Sequence, residues 1–243
     1  KCKIKRSSRF VMLSLKRLML TVSLPDGLIR AVDAAGKEIF NESAYQLTPS
    51  STQADLGQAA TLSFKTPANE ALFGLGQFQD GYLNIRGLSR RLTQVNTQIS
   101  IPMIISNRGY GLLWNNYGLT EYNPGDHHIA LQKTDAEGHT LVVDQTSTHG
   151  NQREQRQSNT FEAQLSIAEE GDYAILLDVG QPMARRHQLL IDNDTVLNMM
   201  NIWLPPTAST IVHLKPGQHQ VVSNAEYSDK PSIYYRKVND TTT

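Results

Sequence analysis

The sequence predicts an all-β protein, and three observations carry that prediction. Apolar residues recur at every second position in short runs, as in Leu18, Leu20, Val22 and Leu24, and period two places them on one face of a pleated strand. Turn-forming groups separate such runs, among them Pro25-Asp26-Gly27, Ala35-Gly36-Lys37 and Lys215-Pro216-Gly217, at the spacing of antiparallel strands. No stretch keeps helical periodicity for the length of an ordinary helix, and no heptad pattern, internal repeat or low-complexity tract occurs. The expected architecture is a large β-sandwich followed by a smaller one.

Composition is consistent with folded cores. The 243 residues exceed the usual size of one domain, and 39% hydrophobic with 19% charged residues supplies enough apolar material for two. Lys plus Arg equals Asp plus Glu, 23 each, so no net field favours nucleic acid or an anionic membrane as partner. A neutral polar ligand fits better. The single cysteine, Cys2, excludes an internal disulfide and a cysteine-based metal site. Lys1, Lys3, Lys5, Arg6 and Arg9 before Val11–Leu15 superficially resemble an export signal, but Lys16 and Arg17 interrupt it and the apolar run is too short to span a bilayer. A strand is the better reading there, and an export signal, if the gene has one, would lie upstream.

Along the chain, Phe10–Phe64 reads as successive strands, with the polar cluster Thr48–Gln53 as one of the turns. Leu75–Thr97 reads as a long loop with a strand fragment. Ile99–Ile105 and Gly111–Trp114 form a hairpin through Ser106-Asn107-Arg108-Gly109-Tyr110. Composition shifts after Asn123-Pro124-Gly125-Asp126, which suggests domains at 1–125 and 126–231, with 232–243 a strand returning to the first. The polar stretch Asp144–Thr160 reads as a solvated loop. Strands follow at Phe161–Ile167, Asp172–Val179, Gln188–Ile191, Thr195–Leu197, Ile211–Leu214 and Gln218–Val222, and only Pro182–Gln188 and Leu197–Trp203 suit short helical turns.

No catalytic set emerges. Asp26, Asp33, Glu42, Asp192 and Asp194 sit in turns rather than as a facing carboxylate pair. His127 and His128 are adjacent and would point to opposite faces of a strand, so they read as a solvated linker pair. Gly74-Leu75-Gly76 lacks the helix and the Lys-Ser/Thr of a phosphate loop, and no Gly-X-Ser-X-Gly occurs. No catalytic residue and no cofactor is assigned.

Four motifs occur in order: Phe73-Gly74-Leu75-Gly76-Gln77, then Asn84-Ile85-Arg86-Gly87, then Gln94 to Met103, then Ser106-Asn107-Arg108-Gly109-Tyr110-Gly111-Leu112-Leu113-Trp114-Asn115-Asn116. This run resembles the N-terminal β-sandwich of glycoside hydrolase family 31, and Gln77 at the position of the usual Glu resembles its bacterial α-xylosidase and α-glucosidase branch. The resemblance implies a galactose-mutarotase-like sandwich that packs on a following (β/α)8 barrel. That barrel carries the nucleophile and acid aspartates, and neither of its signatures occurs in this sequence. The segments around Thr160–Leu165, Gly171-Asp172-Tyr173 and Val212–His219 are similar to an inserted protective-antigen-type (PA-14) sandwich, and Tyr234–Thr243 to the return of the chain toward the barrel. The resemblance further implies a bacterial, periplasmic or cell-surface α-glycosidase acting on plant or dietary oligosaccharides, of which this part is inactive alone. Its partners would be oligosaccharide and the barrel of the same polypeptide, with no nucleic acid and no membrane. A self-standing carbohydrate-binding module is the alternative. An enzyme of sugar-epimerase type ranks last, because all seven histidines follow Asn123.

Candidate contact residues follow. Gln94, Asn96, Thr97 and Gln98 form a polar run before an apolar strand, and amide side chains suit sugar hydroxyls; in the family the matching loop approaches the active-site mouth. Trp203 is either a stacking platform for a sugar ring or a core residue. Asp192 and Asp194 are weak candidates for calcium, against an Asx-capped turn. Arg86 and Asp80 are expected to pair. Gly74, Gly76, Gly109 and Gly111 are expected at positive φ or close backbone approach, and Phe73, Tyr110 and Trp114 in cores.

Overall fold

A computed structural model describes residues 2–49, 57–226 and 228–243, and the described residues contain strands and turns and no helix. Of the expected Thr48–Gln53 turn, residues 50–53 lie outside them. The chain divides into two compact units: Lys1–Phe73, Ile105–Leu112 and Asn239–Thr243 form one, and Gly74–Ile104 with Leu113–Val238 the other.

In the first unit β1 (Lys3–Arg6), β2 (Phe10–Ser14), β3 (Leu18–Ser23), β4 (Ile29–Asp33), β5 (Glu38–Pro49) and β6 (Gln58–Lys65) form an antiparallel meander, which Thr241–Thr242 extends beyond β6. The Val11–Leu15 run is thus a paired strand through Ser14. β1 is fully exposed and carries Lys3, Lys5 and Arg6, and such charge opposes further pairing at an open sheet edge. The core of this unit holds Ala31, Val32 and Phe64, with the Phe40 ring 5.2 Å from Phe64 and 5.7 Å from Tyr110.

A three-stranded sheet follows in the chain: β7 (Leu72–Gln77), then, after β8 (Arg90–Leu92), β9 (Ile99–Ser106) and β10 (Tyr110–Leu113), paired in the order β10-β9-β7. The expected hairpin at 106–110 is present, with Gly109 at φ +88°. Gly74 (φ +118°) and Gly76 (φ +105°) need glycine twice over: the backbone lies where side chains are strained, and a Cβ would collide with the carbonyl oxygens of Met103 and Ile99. Gly111 has no positive φ. Alternation on β9 buries Gln98, its preceding residue, together with Ile104 and Ser106, and leaves Ile99, Ile101, Met103 and Ile105 exposed by 50%, 49%, 40% and 51%. A strand with one polar-lined buried face and one bare apolar face inverts the ordinary pattern.

In the second unit β11 (Thr120–Tyr122) pairs with β8. Then come β12 (His127–Ala130), β13 (Gln132–Lys133), β14 (His139–Ser147), β15 (Gly150–Ile167), β16 (Gly171–Asp178), β17 (Ala184–Ile191), β18 (Asp194–Leu204), β19 (Thr207–Leu214), β20 (Gly217–Glu226) and β21 (Ser232–Lys237). They form a sheet ordered β12-β21-β16-β19 and one ordered β13-β15-β20-β17-β18, with β14 added on β15. Both sheets contribute to one core that includes Leu165, Ile175, Leu177, Leu189, Val221 and Ile233, which makes this part a sandwich. On β16, Ala174 and Leu176 are buried on the opposite face as well. Residues 82–91 bond to that sheet there, through Tyr82 to Thr210 and Ile211 and through Ser209 to the Ser89 carbonyl.

Several sequence expectations are corrected here. Asp144–Thr160 is a long antiparallel hairpin, not a loop, with Leu141 opposite Arg156 and Ser147 opposite Gly150. Its strands are largely solvated, so no apolar alternation marks them. Pro182–Gln188 and Leu197–Trp203 lie in paired strands rather than helical turns, apart from the Gln181–Met183 bend. Register shifts between Ala184 and Arg186 and between Leu189 and Leu190 break the period-two signal. His127 and His128 are in β12, stacked near Tyr235 and Tyr234 at 5.0 and 4.6 Å, not in a linker. Asp80 pairs with Arg90, not Arg86.

Candidate functional site

The polar run before β9 is a tight turn in which Val95 and Gln98 exchange backbone hydrogen bonds of 3.2 Å. Buried Gln98 donates its amide to the Thr93 carbonyl at 2.8 Å, and Ser100 donates to the same oxygen at 2.7 Å. Gln98 is therefore an internal peg. Gln94 and Asn96 are exposed. The Thr97 hydroxyl donates to the Trp203 carbonyl at 2.5 Å, and Gln79 donates to the Thr97 carbonyl at 3.3 Å. Two sequence-predicted candidates 106 residues apart thus meet.

The turn is held from β8 by Arg90, whose Nη2 lies 2.7 and 2.6 Å from the two Asp80 carboxylate oxygens. The guanidinium sits 3.9 Å from the centre of the Phe78 ring. The side chains of Arg90 and Asp80 are only 3% and 6% exposed. Burial pulls the Arg90 pKa below its ordinary value, and the Asp80 charge works against that.

Trp203, next to last in β18, is 40% exposed and stands immediately before buried Leu204 and Pro205. The Pro205 carbonyl accepts a 2.9 Å hydrogen bond from Nε2 of His187, which is wholly buried. Burial lowers the His187 pKa to about 4, so the ring is neutral with its proton on Nε2. Thr97 and His187 therefore pin the strand end on either side of the indole.

Trp203 opens onto a cleft of about 430 Å³ together with Met183, Arg156, Arg185, Glu226 and Asp229. Arg156 Nη1 and Arg185 Nε stand 3.7 and 3.8 Å from Glu226 Oε1, and Arg156 Nη2 bonds Glu154 at 2.8 Å. Burial raises the Glu226 pKa, and burial together with the Glu226 charge raises Asp229 to about 6. Asp229 Oδ2 accepts from the Glu226 N–H at 2.8 Å while the Asp229 N–H donates to the Glu226 carbonyl at 3.0 Å. That reciprocal pattern closes a turn and engages one carboxylate oxygen, Oδ2. Arg156, Arg185 and the Glu226–Asp229 turn come from three separate segments, and no spacing in the sequence joins them.

Asp192 accepts from His219 Nδ1 at 2.6 Å and from the Gln220 N–H at 2.9 Å, and these bonds lower its pKa; the Lys215 carbonyl, 2.8 Å from Nε2, and then Asp192 raise that of His219. Asp192 and Asn193 have φ of +51° and +70°, the geometry of a two-residue hairpin turn, and Asp194 starts β18. Among the described residues no group of three or more His, Cys, Asp or Glu side chains is placed to hold a metal ion.

No family model matches the chain. A family 31 glucosidase of Pseudescherichia vulneris is 41% identical over 68 residues, 28% of this chain and 13% of that protein. An α-xylosidase of Saccharolobus solfataricus is 43% identical over 65 residues, 23% of this chain and 9% of that protein. Among solved structures, the family 31 α-xylosidase of Xanthomonas citri matches all of this chain with 31% of its own, at a TM-score of 0.69 and 21% identity. The chain thus has the all-β fold found in the N-terminal region of that enzyme, and spans about a third of its length.

Proposed function

We propose that this chain, whose fold over its whole length is that of the N-terminal region of a family 31 α-xylosidase, is the non-catalytic N-terminal part of a bacterial family 31 α-glycosidase of α-xylosidase type. In this reading it supports a catalytic (β/α)8 barrel and shapes the entrance through which plant or dietary oligosaccharides pass, outside the cytoplasm. The partial identities to a family 31 glucosidase and an α-xylosidase support the family and the type of activity. One structural observation supports the packing role: Ile99, Ile101, Met103 and Ile105 form a continuous bare apolar row along β9. A row of this kind calls for a protein surface to cover it. The exposed Gln94 and Asn96, one turn before that row, are the side chains placed to meet substrate at the edge of such an interface, with Thr97 and Gln98 holding the turn.

The gene beyond the codon for Thr243 is expected to encode the barrel. Expressed as a second polypeptide, that barrel is expected to co-purify with this chain and to hydrolyse a nitrophenyl α-xyloside only in its presence. Burying each large apolar side chain contributes about 1.5–3 kcal/mol, so Ile101→Asp with Met103→Asp should weaken the pairing by at least about a hundredfold. A stop codon in that position, or undiminished pairing of the double variant, contradicts the proposal.

A further inference from the structure

The Trp203 cleft does not end at Asp229. A second depression of about 310 Å³, lined by Glu154, Gln155, Arg156, Gln157, Glu226 and Ser228, shares Arg156, Glu226 and Ser228 with it. The two make one elongated groove over the β15 and β20 strand ends. We infer that this groove is a binding site for a neutral oligosaccharide of two or more rings, with Trp203 the platform for one ring and the Gln155–Gln157 segment contacting the next.

Four features carry the inference. Each lobe has the volume of a small-molecule site, and together they match a chain rather than a compact ligand. The indole is the only aromatic side chain lining the described parts of the groove, and a flat apolar face suits the C–H face of a pyranose. Around it stand planar groups with several donors or acceptors each, Arg156, Arg185, Gln155, Gln157 and Glu226, which is how vicinal hydroxyls are met in pairs. The guanidiniums of Arg156 and Arg185 face the carboxyls of Glu154 and Glu226, and Asp229 lines the same cleft; two cations against three carboxyls leave no cationic excess for a phosphate or uronate. The platform is also pre-set: the Trp203 carbonyl is tied to Thr97 and the following Pro205 carbonyl to His187. This site is independent of the β9 face, so the groove could fail while the packing proposal stands, and the reverse.

The test uses the whole chain and four probes: xylotetraose, cellotetraose, maltotetraose and a xyloglucan heptasaccharide. The sequence has two tryptophans, so a Trp114→Phe background assigns any fluorescence change to Trp203. At least one probe is expected to shift that emission with a Kd of about 1 mM or tighter, about tenfold tighter than its disaccharide. Trp203→Ala, followed by calorimetry, should weaken binding about tenfold or more, and Gln155→Ala should abolish the advantage of the longer probe while leaving disaccharide binding intact. Unfolding midpoints equal to wild type for both variants separate loss of the site from loss of fold; should Trp203→Ala unfold, Arg185→Ala serves in its place. Failure of all four probes at about 5 mM, or wild-type affinity in folded Trp203→Ala, overturns the inference.

Discussion

Asp80→Ala is expected to destabilise the unit that contains it by about 3–5 kcal/mol, because removing one partner of a buried ion pair strands the other. Arg90 and Asp80 are almost fully buried and joined through a single guanidinium nitrogen to both carboxylate oxygens. Arg90 Nε is buried without a hydrogen-bond partner, so the stack on Phe78 is all that remains if Asp80 is lost. An arginine does not give up its proton under these conditions, and the charge stays in place uncompensated. Replacing both residues with apolar ones of similar volume, Asp80→Leu with Arg90→Met, should recover most of the loss. Urea unfolding of the three variants measures this, and a loss below about 1 kcal/mol in Asp80→Ala contradicts it. The change also reaches the candidate site: β8 leads directly into the 93–98 turn, so Thr97 should lose its hold on Trp203 and emission from Trp203 should shift to the red.

His187 is expected to make the same unit acid-sensitive. Its pKa is lowered from 6.5 to about 4 in the folded protein because the ring is buried, with Nδ1 lacking a hydrogen-bond partner. As pH falls from about 6.5 toward about 4, the unfolded chain takes up a proton that the folded chain refuses, and stability drops by up to about 1.4 kcal/mol per pH unit, about 3 kcal/mol in all. Asp229 and Glu226 act in the opposite sense. Their folded pKa values are raised, so they hold protons at a pH where the unfolded chain has released them, and acidification through about 6 toward about 4 restores stability. Their partial exposure weakens that contribution. His187→Gln keeps a donor for the Pro205 carbonyl and removes the titration. Its stability deficit relative to wild type at pH 7 should therefore shrink at pH 4.5, whereas Asp229→Asn should make the acid loss steeper. Denaturation midpoints at both pH values decide the matter, and a gap for His187→Gln that does not change with pH would refute the assignment.

Strand content was legible in the sequence wherever one face is buried and the other wet. Val221, Ser223 and Ala225 in β20 alternate with half-buried neighbours for that reason, and Pro25-Asp26-Gly27 or Asp192-Asn193 announce the turns through the backbone conformations they allow. Where burial did not alternate, the reading failed. In the β14–β15 hairpin residues 150–157 are all exposed or half-buried and looked like a loop, and β17 and β18 are shifted by bulges and looked helical. Asp80 and Arg86, in one loop, were expected to pair, but Asp80 pairs with Arg90 of β8 instead. Among the site residues, Thr97 and Trp203 were recognisable singly from their chemistry. Their meeting was not.

The sequence by itself determined the β class, the turn positions that demand glycine or asparagine, and, through Phe73–Gly76 and Asn107–Trp114, the family the chain resembles, since these are local consequences of side-chain shape and backbone freedom. The tertiary structure alone decided which polar residues share a surface. Arg156, Arg185, Trp203 and Glu226 lie on different strands, with Asp229 in the turn after β20, and they line one cleft only because antiparallel register sets β15 beside β20 and β17 beside β18. It also decided that the apolar residues of β9 are exposed: Gln98, Ile104 and Ser106 take the buried face, and Ile99, Ile101 and Met103 the open one.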